Sequence, residues 1–147
     1  MDSGSFQIFN ECGDDVPFTG EMLKRIVEMI QKHEHRNFSQ VEVVFVGDSK
    51  ILEMNREYLG HDYLTDIITF PYHIHNDDNS PVEGTLYCCA PQIRRQSDDY
   101  GTTYDSEVLR VVIHGLLHLI GYDDRSDSQR IHMQALENKY ITLFQGS

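Results

Sequence analysis

Residues 108–124 read VLRVVIHGLLHLIGYDD, and this stretch decides the fold. Its apolar side chains fall on nearly every side of a helix, which is the pattern of a helix buried in a core rather than lying on a surface. We predict this helix over about residues 105–120. Gly121 can take the left-handed conformation that ends it. The rest of the chain is therefore expected to pack around this one helix.

Two histidines, His114 and His118, interrupt the apolar run. Residues four apart project from one face of a helix, about 6 Å apart along its axis, and two imidazoles at this spacing can share a metal ion. Asp123 and Asp124 follow the helix end, where the chain can turn back and supply a carboxylate ligand. One of them is expected to bind the ion while the other orients a histidine or caps a turn. A lone histidine here would more often be a hydrogen-bonded core residue, but the pair favours a metal site.

The expected chemistry of such a site is hydrolysis. Three protein ligands leave a fourth position of a tetrahedral ion for water, as in catalytic zinc sites, and the ion lowers the pKa of that water. An H-E-x-x-H metalloprotease carries its general base beside the first histidine, where this chain has Gly115. Gly115 either leaves space beside the ion for a bulky substrate group or allows close packing of the helix. Peptide hydrolysis would need another base, such as Asp66.

The remaining segments predict strands and helices around this core. Alternating or β-branched patterns predict four strands, at residues 5–9, 41–46, 65–72 and 85–90. Helical patterns predict four further helices, at about residues 21–35, 48–59, 91–99 and 126–144. Thr19, Asp48 and Ser126 are the predicted caps, and Gly60 is the predicted end of the second helix. A polar loop is expected over residues 73–84.

These elements predict one α+β domain spanning residues 1–147. Two of the strands are joined directly, while the others are separated by helices. We therefore expect a small mixed four-stranded sheet packed against about five helices, one of them the buried metal-bearing helix.

The charge of the chain weighs against a general nucleic-acid binder. Its net charge is −12, whereas phosphate binding depends on Lys and Arg. The pairs Lys24-Arg25 and Arg94-Arg95, with Arg36 and Arg56, weaken this objection, because a local patch can matter more than the total. Paired basic side chains more often simply face water.

Cysteine usage and hydropathy predict a soluble cytoplasmic protein. Cys12, Cys88 and Cys89 make an odd count with two adjacent residues, which fits a reducing compartment better than a disulfide framework. Without C-x-x-C spacing, Cys88 and Cys89 are expected to be strand or core residues rather than ligands. No stretch approaches the roughly 18 apolar residues of a membrane span, so no membrane partner is expected.

The motif HGLLHLIGYDD, residues 114–124, resembles the signature of the YbeY family, bacterial metal-dependent endoribonucleases implicated in ribosomal RNA maturation. MNREY at residues 54–58 and DYLTDIITFP at residues 62–71 resemble the other marked segment of that family. Met133 and Glu137 sit where the family has its closing helix. The resemblance covers about residues 41–143, and it implies an α+β fold with a sheet against a metal-bearing helix.

The first departure from the family pattern concerns the third ligand. The family usually has a histidine where this chain has Asp124, so the resemblance implies His114, His118 and Asp124 as the metal ligands. A carboxylate oxygen still suits one Zn²⁺ ion, but it reduces the positive charge of the site. Iron, manganese or nickel then also become plausible.

The second departure concerns substrate binding. The family tends to carry an arginine that is proposed to contact the substrate phosphate, at the position of Leu59 in this chain. Arg56, one helical turn earlier, is the predicted substrate-binding substitute. The alternative is that Arg56 is a surface residue paired with Glu53 or Glu57.

The resemblance therefore implies a single-strand-directed, metal-dependent endoribonuclease that acts in rRNA maturation and ribosome assembly. The expected partners are rRNA or other single-stranded RNA, and the ribosomal subunit or its proteins. The alternative is a non-catalytic, metal-stabilised assembly factor that binds ribosomal proteins, which the acidic charge favours. A non-haem iron oxygenase also uses two histidines and a carboxylate, but its ligands usually come from barrel strands rather than one helix.

Overall fold

The structure is a computed structural model that describes residues 4–72 and 80–146. Within these residues, one four-stranded sheet has the order β1-β2-β4-β3. The strands are β1 (Ser5–Asn10), β2 (Phe38–Val46), β3 (Ile67–Pro71) and β4 (Val82–Cys89). β1 and β4 each pair with β2 in parallel, and β3 pairs with β4 antiparallel. The prediction of a mixed four-stranded sheet is confirmed.

Five α-helices in the described part of the chain complete the predicted α+β fold. They are α1 (Gly20–Glu34), α2 (Asp48–Met54), α3 (Ala90–Tyr100), α4 (Tyr104–Leu119) and α5 (Asp127–Gln145). Two predicted caps are confirmed, because the Thr19 and Ser126 side chains accept backbone N–H groups at the starts of α1 and α5. No helix in these residues combines the length and apolar character that a membrane crossing requires.

The buried helix is α4, as predicted. Its apolar side chains are almost fully buried between the sheet and the helices α3 and α5, in a hydrophobic cluster that α1 also joins. A smaller core lies on the opposite face of the sheet, where Ile51 and Met54 of α2 pack against Val44 and Ile68. The sheet therefore supports α4 from one side and α2 from the other.

The segment that contains α2 differs from its prediction at its start and in its second half. Gly47, not Asp48, is the N-cap, and the Asp48 carboxylate accepts hydrogen bonds from Arg95 at 2.8 and 3.1 Å instead. A bidentate, charge-assisted ion pair is stronger than the single hydrogen bond of a helix N-cap. At the other end, Asn55–Leu59 form a π-helical turn, and Asn55 Nδ2 donates to the Ile51 carbonyl oxygen at 3.1 Å. Gly60 ends the segment in the left-handed conformation, as predicted.

The predicted loop at residues 73–84 is shorter than expected at its far end, because β4 begins at Val82. Gly84 belongs to this strand. A Cβ atom there would lie 2.5 Å from Leu119 Cδ2 and 2.8 Å from the Phe70 carbonyl oxygen. Glycine therefore lets the strand pass under the end of α4. Residues 73–79 of that prediction lie outside the described residues.

Candidate metal centre

His114 and His118 meet Asp124 at the C-terminal end of α4. The two rings lie edge to face with their centroids 4.6 Å apart, and their Nε2 atoms are 3.0 Å apart. Gly121, with φ of 112°, turns the chain back, and the Tyr122 N–H donates to the Leu117 carbonyl oxygen at 3.1 Å. The structure thus brings together the three residues that were singled out as ligands.

The spacing of the three donor atoms fits one metal ion. Asp124 Oδ2 lies 3.3 Å from His114 Nε2 and 3.5 Å from His118 Nε2. Donors at 2.0–2.1 Å from a tetrahedral ion are about 3.3 Å from one another. All three side chains are half-buried, so the cluster is reachable from solvent. These residues can hold an ion without backbone rearrangement.

A carboxylate from α5 holds the His114 ring. Glu137 Oε2 lies 2.5 Å from His114 Nδ1, so Nδ1 carries the proton and the Nε2 lone pair faces the cluster. The Glu137 side chain is only 7% exposed, and its other oxygen accepts from Arg110 Nη1 at 3.0 Å. This pairing offsets the cost of burying the carboxylate. Glu137 therefore fixes both the orientation and the tautomer of His114.

Carboxylates around His114 give the cluster a negative environment. Burial of the ring, the largest single influence, lowers the pKa of His114. The hydrogen bond and charge of Glu137, with the charges of Asp124 and Asp66, act in the opposite direction and leave the pKa raised above its usual value. The same negative charges favour a bound cation.

Asp123 does not reach the cluster. Its Oδ1 accepts the backbone N–H of Asp124 at 2.8 Å, and its Oδ2 lies 3.1 Å from Arg125 Nε. Asp123 thus caps the turn that presents Asp124. The residue that orients a histidine is Glu137, which the sequence reasoning did not single out for this role. An acidic residue between Met133 and Tyr140 on the buried face of α5 was the available signal.

Gly115 packs against the sheet and lines neither of the spaces beside the cluster. A Cβ atom at this position would lie 2.6 Å from Ile67 Cδ1 and 2.9 Å from Leu86 Cδ1. The expectation that Gly115 makes room for a bulky substrate is therefore wrong. The alternative, close helix packing, is the correct one.

Two cavities adjoin the cluster, and Asp66, His114 and Asp124 line both of them. The first cavity, of about 230 Å³, lies among α3, α4 and α5 and has a charged wall that includes Glu107, Arg110, Arg130 and Glu137. The second cavity, of about 460 Å³, follows β3 and is lined by Leu59, Thr65, Ile67, Ile68, Thr69, Pro71 and His118. The cluster therefore lies where the two cavities meet.

The structure does not bring Arg56 to this junction. Arg56 Nε lies 2.5 Å from Asp62 Oδ1 on the surface, so its partner is neither Glu53 nor Glu57. Arg56 is not among the described residues that line either cavity, whereas its neighbour Leu59 lines the second one. Its substrate-binding role stays a prediction.

The other arginines noted in the sequence make contacts within the protein. Arg95 pairs with Asp48, and the Arg94 guanidinium lies 4.1 Å from the centre of the Tyr104 ring. Arg25 lies 4.3 Å from the centre of the Phe144 ring, and Arg36 Nη1 donates to the Ile120 carbonyl oxygen at 3.2 Å. The guanidinium groups of these arginines therefore already have partners within the protein.

The cysteines have the expected positions. Cys88 and Cys89 are buried strand residues of β4, as predicted. Both, like Cys12, are free thiols. They lie outside the group of residues suited to a metal ion.

The fold and the cluster together define a class: an α+β protein in which one buried helix carries a histidine pair that can hold a metal ion with a carboxylate. The profile of the family described as Endoribonuclease YbeY matches residues 9–145. The chain therefore belongs to the YbeY family.

Individual relatives agree with this assignment. The chain is 38% identical to the Endoribonuclease YbeY of Bacteroides thetaiotaomicron, over 85% of each chain. It is 33% identical to that of Chlorobaculum tepidum, over 92% of this chain and 94% of the relative. It is also similar to the solution structure of TM1509 from Thermotoga maritima, with a TM-score of 0.59, 26% identity, and coverage of 97% of this chain and 89% of that one.

Proposed function

We propose that this protein is a metal-dependent endoribonuclease that acts on single-stranded RNA, with residues 1–147 as one hydrolase domain. The observation that carries the proposal is the set of three donor atoms from His114, His118 and Asp124, spaced for one ion where two cavities meet. Relatives that match most of the chain bear the name Endoribonuclease YbeY.

Zn²⁺ is the proposed ion, because two imidazoles and one carboxylate suit it. Iron, manganese and nickel also bind this donor set. When bound, the ion polarises a phosphoryl oxygen of the substrate and lowers the pKa of a coordinated water. Asp124, which replaces the usual third histidine of the family, reduces the positive charge of the site.

The protein itself supplies positioning and proton transfer. Glu137 holds His114 with Nε2 directed at the cluster, so the ligand does not have to reorient. Asp66 is, among the described residues, the one further carboxylate that lines both cavities, and Gln96 Nε2 donates to its Oδ2 at 3.1 Å. We assign Asp66 as the acceptor of the proton that the attacking hydroxyl releases, whether that hydroxyl belongs to water or to the ribose 2′ position.

The proposed role in the cell is maturation of ribosomal RNA and ribosome assembly in the cytoplasm, with ribosomal subunits or proteins as partners. A second candidate is a non-catalytic assembly factor that binds ribosomal proteins. The net charge of −12 favours it, because an acidic surface attracts basic proteins and repels RNA. The internal contacts of the arginines support the same candidate.

The experiment that separates these candidates measures RNA cleavage and subunit binding on the same variants. In purified His114→Ala and His118→Ala proteins we expect loss of both metal and cleavage of single-stranded RNA. Equal activity in these variants after confirmed metal loss would refute the enzyme proposal. Co-sedimentation with ribosomal subunits that persists in both variants, without any cleavage by the wild type, would favour the assembly factor.

A further inference from the structure

Two arginines line the first cavity, beside the cluster of His114, His118 and Asp124. Among the described residues that line this cavity, Arg110 and Arg130 are the only Lys or Arg side chains. The described lining of the second cavity contains neither Lys nor Arg. A negatively charged substrate group near the cluster therefore meets its counter-charge on the α5 side.

Arg110 is already bound within the protein. Its Nη1 donates to Glu137 at 3.0 Å, and its Nη2 donates to Asn138 Oδ1 at 2.7 Å. The Glu137 side chain is 7% exposed and holds His114. If Arg110 turned toward a ligand, a buried carboxylate would lose its partner, at a large cost in stability. Arg110 therefore keeps Glu137 in place and does not bind substrate.

Arg130 is in a different situation, because its side chain is 52% exposed and its charged partner, Asp127, is 93% exposed. Exposed ion pairs contribute little to stability and are easily exchanged for another anion. Arg130 Nη1 also donates to the backbone carbonyl oxygens of Asp124 at 3.3 Å and Arg125 at 3.0 Å. These contacts hold the guanidinium beside the loop that carries the third ligand.

We propose that Arg130 binds a phosphate of the RNA strand on the α5 side of the cluster. This inference rests on the proposed function, since it takes a phosphodiester as the ligand. The planar guanidinium can donate two parallel hydrogen bonds to phosphate oxygens, a geometry that Lys cannot reproduce. Arg130 would then supply the phosphate contact that Leu59 cannot make in the second cavity.

The test compares Arg130→Gln with Arg125→Gln. Arg125 is a matched control, because it adjoins Asp124, is 87% exposed, and is not among the described residues that line either cavity. Both variants remove one positive charge near the loop. The readouts are KM and kcat for a short single-stranded oligoribonucleotide, its affinity at several salt concentrations, and the metal content.

For Arg130→Gln we expect KM to rise about tenfold with kcat nearly unchanged. The slope of log affinity against log salt should fall in magnitude by about 0.7, the value for one contact to a single strand. Arg130→Lys should keep the slope and recover part of the affinity. Arg125→Gln should behave as the wild type, and all three variants should retain their metal.

Three results would overturn the inference: a salt slope for Arg130→Gln equal to that of the wild type, an equal loss in Arg125→Gln, or a loss of metal that accounts for the loss of activity. The last would show that Arg130 only supports the Asp124 loop. A wild-type protein that binds the oligonucleotide without cleaving it would refute the proposed function, while the salt slopes would still decide whether Arg130 binds phosphate. A wild-type protein that does not bind it would refute both.

Discussion

The two cavities that meet at the histidine cluster differ in chemistry. The first is walled by helices and carries charged side chains, among them the buried Glu137 and the half-buried Arg110. The second follows the edge strand β3 and presents Leu59 and the side chains of that strand. Among the described lining residues, both arginines and the Glu107 and Glu137 carboxylates stand in the first cavity, so the phosphate contact that we propose for Arg130 lies on that side of the cluster. Asp66, His114 and Asp124 belong to both.

The largest effect is expected at the wall that both cavities share. Asp66→Asn keeps the shape of the side chain and its ability to accept from Gln96, but it removes the proton acceptor. We expect kcat for RNA cleavage to fall by about 10² to 10⁴ with metal content unchanged. Asp99→Asn, on the exposed face of α3, is the control for the change in charge. Full activity in Asp66→Asn would exclude Asp66 as the proton acceptor.

A smaller effect is expected on the helical side. Glu137→Gln removes the charge that holds His114 and leaves Arg110 without its anionic partner. Partners of metal ligands typically contribute 10 to 100-fold in metal affinity, so Zn²⁺ affinity should fall by about that factor. Glu53→Gln, an exposed residue paired with Lys50, should leave the affinity unchanged. If Glu137→Gln bound Zn²⁺ as tightly as the wild type, the carboxylate would have no part in orienting the ligand.

The smallest effect is expected on the strand side, where a charge is added rather than removed. Leu59→Arg places a cation in the second cavity, and we expect affinity for single-stranded RNA to rise severalfold, with the salt slope larger in magnitude by about 0.7. Tyr63→Arg adds the same charge at an exposed position that is not among the described lining residues. An equal gain in both variants would mean that the gain reflects net charge and not the cavity.

Local periodicity was sufficient to predict the parts of the site that one element holds. The apolar run of α4 and the four-residue spacing of His114 and His118 specify a buried helix with both imidazoles on one face. Gly121 then predicted the turn that presents Asp124. Each of these features depends on neighbours within about one or two helical turns.

The features that sequence reasoning missed depend on contacts between distant segments. Glu137 is hydrogen-bonded to His114 from another helix, 23 residues away in sequence. Arg95 donates to the Asp48 carboxylate from 47 residues away. Arg56 was the candidate phosphate ligand by its position in the chain, but it pairs with Asp62, and Arg130 lines the cavity instead. The positions of α3 and α5 in the fold bring Arg95, Arg130 and Glu137 to these places, which no local pattern predicts. The Arg56–Asp62 pair spans only six residues and was missed although it is local.

Zn²⁺ titration into metal-stripped protein, followed by calorimetry, tests directly whether the cluster binds one ion. We expect the wild type to bind one ion per chain. His118→Ala should bind Zn²⁺ more than about 100-fold more weakly, because loss of a ligand costs more affinity than loss of a residue that only orients a ligand. His132→Ala removes an exposed histidine of α5 outside the cluster and should bind as the wild type does. Tight binding of one ion that persists in His118→Ala and in Asp124→Ala would contradict the assignment of the metal site.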